Sequence, residues 1–277
     1  MEFVYQSNCF ASVNCLNGGE LLAQSFYLAT DSEAAARIRV DAGSFRIKEA
    51  GWEIYRSPGG RWNGGRELPE LVGVEAYFNA GGHLRRAAGD EAAGLPRELL
   101  AECVRGIIQS ETYIFTGRGH ATARAYEDFW EKLYAGSCRY YSNLDRVKQG
   151  WFDHVGELGR SRCLYNRNKS CTVYRDSGGG LTVTGAFCDS FHELGVRAVL
   201  DPEGVALAVS GDFKRAPDAV CFENKGHLAF LPGKNLACSG KKEVAEIAGG
   251  PQGCNHLVDL LYDMAKAARC VIREPGS

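Results

Sequence analysis

The chain has 277 residues, of which 45 % are hydrophobic and 24 % charged, with a formal net charge of −2. That composition belongs to a globular protein and excludes a disordered or fibrous one. It also leaves no basic footprint for nucleic acid or an anionic membrane surface.

In chain order, the first half offers Leu21–Tyr27, Ala36–Asp41 and Ile54–Pro58, three segments with counterparts in the same order further on. Between Pro58 and Gln109 lie two glycine- and arginine-bearing stretches, Gly59–Arg66 and Gly81–Arg86, which read as surface loops. Another such loop is expected at Thr116–Ala121. Phe129, Trp130, Leu133 and Tyr134 then form the bulky face of a helix.

The second half repeats the pattern. Leu181–Phe187, Val196–Asp201 and Phe213–Pro217 follow in the same order, offset by about 160 residues. Ser177–Gly180 and Asp201–Gly204 supply turns, and Val205–Val209 reads as a further strand. Strands joined by such tight turns imply an antiparallel meander. Lys241–Ala248 reads as a short helix stopped by Gly249-Gly250. A longer helix is expected from Asn255 to about Cys270, with Leu257, Leu260, Leu261, Met264, Ala265 and Ala268 on one stripe.

The expected fold is therefore α+β, with two pseudo-equivalent units of antiparallel meander followed by packed helices. The boundary falls so that 1–147 is a degenerate first copy with loop insertions and 148–277 a second copy. On this alignment Gln252–Leu257 falls against Gln109–Ile114, and the helix at Leu260 against that at Phe129. Cys254 and His256 then correspond to Glu111 and Tyr113, so chemistry-bearing residues stand in one copy only.

Eleven cysteines occur without C-x-x-C spacing, so most are expected to be small buried hydrophobes. Cys254 differs, because it precedes a helix start whose unpaired N–H groups favour a thiolate. The first functional reading is an enzyme on a small anionic organic substrate. Cys254, His256 and Asp189 would be its catalytic residues and Arg215 its anion anchor. Arg56, Glu111 and Tyr113 complete the substrate side; Glu111 and Tyr113 suit an acid–base pair or, equally, a cap and a core aromatic. Arg56 and Arg215, each two residues before a proline, suit a structural strand-end anchor as well as an anion clamp.

The alternative is a protein binding a transition metal such as zinc, or a metal-bearing cofactor, through Cys221, Cys254 and His256. Asp189 and His192, from the polar cluster Cys188–Glu193, are the further donors at hand. A non-catalytic accessory subunit is the third reading. With no apolar run of bilayer length, and neither a basic nor an apolar region at the amino terminus, a cytoplasmic location is expected. The expected partner is a small-molecule ligand, not nucleic acid or a membrane, with a homo-oligomer left open.

The second half resembles an uncharacterised bacterial family, the domain of unknown function numbered 2889. The resemblance rests on Gly253–Leu257, Ala216–Cys221 and Gly185–Asp189, and spans about residues 160 to 272. Members of that family often lie among genes for catabolism of aromatic or acyl-thioester compounds, so the resemblance implies a small-molecule role without defining one, and it points to Asp189, Cys221, Cys254 and His256.

Overall fold

The computed structural model describes residues 1–156 and 159–272, and the fold is α+β. Its elements are β1 (Glu2–Leu16), β2 (Glu20–Ala29), β3 (Glu33–Asp41), β4 (Ile47–Arg56) and β5 (Gly64–Glu67), followed by α1 (Ala80–Ala88), α2 (Leu95–Ser110), α3 (Ala123–Leu133), α4 (Arg139–Ser142) and α5 (Trp151–Val155). Four further strands follow: β6 (Cys163–Arg175), β7 (Leu181–Asp189), β8 (Glu193–Leu200) and β9 (Ala206–Arg215). Three helices close the chain: α6 (Ala219–Phe222), α7 (Lys241–Ala248) and α8 (Asn255–Ile272). No helix among the described residues is long and apolar enough to cross a membrane.

The chain divides into two compact units. One comprises Asn8–Tyr126 and Leu158–Asn168, the other Met1–Ser7, Glu127–Glu157 and Lys169–Ser277. In the first, hydrogen-bonded neighbours run in the order β5-β4-β3-β2-β1-β6. Leu21, Ala23 and Ser25 of β2 and Ala36, Ile38 and Val40 of β3 point inward and are buried, as period-two alternation requires. Helix α2 lies on this face, where Ser25 Oγ donates to the Leu99 carbonyl at 2.8 Å. The opposite face is charged, with Arg39 bridging Glu20 and Glu49, and Arg37 paired to Glu67.

In the second unit the order is β1-β6-β7-β8-β9. Leu181, Val183 and Phe187 of β7 and Val196, Ala198 and Leu200 of β8 are buried. Helix α8 packs on β7. Gly185 makes that approach close: a Cβ there would stand 2.7 Å from Met264 Sδ and 2.9 Å from Leu260 Cδ1.

The two meanders share local detail. β3 pairs with β4 from Glu33↔Arg56 to Val40↔Ile47, with irregularities at Glu33/Ala34 and Arg39/Val40. β8 pairs with β9 from Glu193↔Arg215 to Leu200↔Ala206, with irregularities at Glu193/Leu194 and Val199/Leu200. The next turn is held in each by an aspartate. Asp41 Oδ1 accepts the Ser44 N–H, and Asp201 Oδ1 accepts those of Glu203 and Val205.

Several expectations change. The helix lying on β2 and β3 is α2, so it is α2, not the helix at Phe129, that matches α8 in packing. Gln109 consequently stands at the end of α2, whereas Gln252 precedes α8, and the two segments are not in equivalent places. Gly81–Arg86 is not a loop but the body of α1, because Ala80, Leu84, Ala87 and Ala88 give it a buried stripe while the two glycines stay exposed.

Candidate functional site

The site begins at the β7–β8 hairpin. β7 ends at Asp189, the Asp189 N–H donates to the His192 carbonyl at 2.9 Å, and Ser190-Phe191 form a two-residue turn. Asp189 Oδ1 accepts the N–H groups of Phe191 (2.8 Å) and His192 (2.7 Å) and lies 3.1 Å from His192 Nδ1. Phe191 is fully buried and packs against Trp151 of α5, with ring centroids 4.8 Å apart. His154, one turn along, places Nε2 2.8 Å from the Phe191 carbonyl.

The second piece is the start of α8. His256, in its first turn, stacks on His192 with centroids 3.9 Å apart and planes inclined by 32°. It meets Phe187 edge-on at 5.1 Å. Donor atoms of Asp189, His192 and His256 all lie within 4.8 Å of one another. Among the described residues this is the group of histidine, cysteine and carboxylate side chains that could hold a metal ion. Asp189 is 4 % exposed and His192 9 %, so these two donors are sheltered, while His256 is half-buried.

Cys254 stands just before α8, its Sγ 3.9 Å from His256 Nδ1. The expected thiolate is corrected here. Burial pushes the thiol up to about 12, against the lowering effect of the Leu257 and His256 N–H groups. The helix-end argument names a real interaction, but desolvation is larger. Cys221 is likewise pushed up to about 12 by burial, in an apolar cluster with Tyr140, Ala216 and Val220. The group whose donor atoms lie within 4.8 Å of one another contains His256 with Asp189 and His192, and neither Cys221 nor Cys254.

Cys221 is held by Asp218, which caps α6 through the Val220 N–H and also accepts the Lys148 and Gln149 N–H groups. Burial raises the Asp218 carboxyl, but these N–H groups outweigh it and hold it below its ordinary 3.8. A carboxyl depressed in the folded state stabilises the fold above its unfolded value, and that stability is lost as pH falls through the folded one. Asp218→Asn is therefore expected to lower unfolding free energy by about 1 kcal/mol at pH 7, with the gap to wild type closing below pH 3.8. Urea unfolding at pH 7 and at lower pH checks this; an unchanging gap would contradict it.

The other expected residues have defined places. Arg215 donates from Nη1 to the Ser190 carbonyl (2.7 Å) and from Nη2 to those of Asp189 (2.6 Å) and His192 (3.3 Å). Arg56 does the same to Thr30, Ala29 and Ser32. Both forks thus grip backbone carbonyls. Glu111 is buried, accepting from Tyr77 Oη at 2.8 Å and from Arg118 Nε at 3.0 Å. The Tyr113 ring carries the Arg160 guanidinium at 4.8 Å. Both belong to the unit containing Asn8–Tyr126, as do their partners.

Sequence reasoning did not single out Arg139, which fixes the loop before α8. Its N–H donates to the Gly253 carbonyl, and its guanidinium to Gln252 O, Asn224 Oδ1 and Glu223 Oε2. No motif marks such a residue, since its partners come from two segments far away in sequence.

Residues 165–269 match a family described as a protein of unknown function, DUF2889. The DUF2889 stretch runs from within β6 to within α8. Asp189, His192, His256, Arg215, Cys221 and Cys254 all fall inside it. No curated protein matches the chain.

Proposed function

We propose that the DUF2889 region binds a divalent transition-metal ion through Asp189, His192 and His256, and that the ion holds a small anionic organic ligand for binding or turnover. The supporting observation is the convergence of two imidazoles and one carboxylate, from a hairpin turn and a separate helix start, within 4.8 Å. Two histidines and a carboxylate suit iron(II), zinc, cobalt or manganese, and three protein ligands leave coordination positions for an outside molecule. With one carboxylate against a dication the site keeps net positive charge, which favours a carboxylate or acyl-thioester-like ligand.

In this reading Cys254 is a neutral thiol beside His256, not the nucleophile. We propose further that the two halves descend from one duplicated unit, which the matching strand registers and arginine grips support. The first-half positions of Asp189 and His192 are then Ala29 and Ser32, so only one metal site remains.

The test is titration of chelator-treated protein with zinc, cobalt, manganese and iron(II), read by calorimetry and thermal unfolding. At least one ion at a hundred times its Kd should add about 2.7 kcal/mol of stability, and Cys254→Ser should bind it equally well. Carboxylates and thioesters should then shift the metal-loaded protein more than the metal-free one. No response to any of the four ions would overturn the reading.

A further inference from the structure

We infer that Arg215 is the positioning residue of this metal site: by gripping three carbonyls of the β7–β8 turn it sets the spacing at which Asp189 and His192 meet an ion. The inference rests on the metal reading above. Both donors flank a two-residue turn, and Asp189 Oδ1 lies 3.1 Å from His192 Nδ1. That is close to the edge between neighbouring ligands of an ion with bonds of about 2.0–2.2 Å. A turn free to open would lose that spacing first, because Asp189 and His192 stand on its two sides and its closure rests on the Asp189 N–H to His192 carbonyl bond.

Arg215 is placed to prevent this. It comes from the end of β9, opposite Glu193 in the β8–β9 register. Its two Nη atoms reach the carbonyls of Asp189, Ser190 and His192, covering both donor residues and one turn residue. The planar fork allows this several-point grip, which a lysine ammonium on its flexible stem does not reproduce. Arg215 donates to no side-chain oxygen of the donor group, so its effect on an ion passes through the backbone. Groups that orient ligands in this way typically change metal affinity ten- to a hundredfold when removed.

The molecule carries its own control. Arg56 makes the corresponding grip on Ala29, Thr30 and Ser32, at 2.9, 2.8 and 3.4 Å. The same N–H to carbonyl bond closes that turn, from Ala29 to Ser32 at 2.8 Å. Yet alanine and serine stand where the other turn has aspartate and histidine. Loss of Arg56 should therefore remove a comparable set of structural hydrogen bonds and leave the metal site alone.

The experiment measures cobalt(II) and zinc(II) affinity, the cobalt(II) absorption spectrum and thermal unfolding for wild type, Arg215→Met, Arg215→Lys and Arg56→Met in the full chain. Both methionine variants are expected to unfold at lower temperature. Arg215→Met should bind metal ten- to a hundredfold more weakly with an altered cobalt spectrum, whereas Arg56→Met should bind within about twofold of wild type. Arg215→Lys, which keeps the charge, should show the same defect in lesser degree and serves as the readout if Arg215→Met does not fold. Wild-type affinity in the Arg215 variants, or equal weakening in Arg56→Met, would overturn the positioning role alone. Failure of wild type to bind either ion would overturn it together with the metal reading.

Discussion

Replacing Glu102 with leucine is expected to lower the unfolding free energy by about 3–5 kcal/mol, a large share of the stability of an ordinary domain. Glu102 of α2 is 4 % exposed and Arg167 of β6 is 3 % exposed. Arg167 Nη1 donates to Glu102 Oε2 at 3.1 Å and its Nε to Tyr165 Oη at 2.9 Å, while Arg105 binds the other Glu102 oxygen at 2.6 Å. Leucine at 102 takes the carboxylate away from a buried guanidinium, and the cost lies mainly in breaking that buried charge pair. The double variant Glu102→Leu, Arg167→Met should therefore recover much of the loss, since neither charge is then desolvated. Urea unfolding of the two variants measures it, and additive losses would contradict the account.

The second large effect concerns the metal. Asp189→Asn keeps an oxygen to accept the Phe191 and His192 N–H groups, so the turn should persist while the site loses its negative donor. His256→Ala removes the donor supplied by α8 and the stack on His192. Each substitution is expected to weaken metal binding at least a hundredfold, more than the loss of a merely orienting group. Thermal unfolding of the metal-free variants should change far less. Calorimetric titration provides the affinity, and retention of wild-type binding in either variant would remove that residue from the site.

How much of this could be read from the residues differs by element. The meander strands were legible because the two halves repeat alternation and turn chemistry: Leu21 and Leu181 both open buried strands, and Asp41 and Asp201 both hold turns. β6 was hidden by its charges. Arg167 and Lys169 look like surface residues, but both are buried, paired with Glu102 and with Asp263, which lie far away in sequence. β1 was obscured similarly, since Ser7 and Ser12 are buried polar residues amid an apolar pattern. Glycines concealed α1, whose buried stripe rests on Leu84 and three alanines.

At the site, the polar cluster around Asp189 and the helix start at His256 were each visible, but their convergence was not. Periodicity carries no information on which turn meets which helix end. The cysteines were overvalued for a related reason. Counting N–H groups near Cys254 captures one contribution to its proton affinity, whereas the larger one, burial, depends on how segments distant in sequence pack around it. Arg215 showed the reverse: the strand-end anchor weighed from its position before Pro217 is what the backbone carbonyls of Asp189, Ser190 and His192 display.

The most direct measurement is X-ray absorption at the metal edge of the wild-type protein loaded with one equivalent of zinc. The fine structure separates nitrogen and oxygen ligands at about 2.0–2.2 Å from sulfur at about 2.3 Å. Coordination by Asp189, His192 and His256 predicts a shell of nitrogen and oxygen alone, with the multiple-scattering signature of two imidazoles. A sulfur scatterer in the first shell would place Cys254 or Cys221 on the ion and contradict the account.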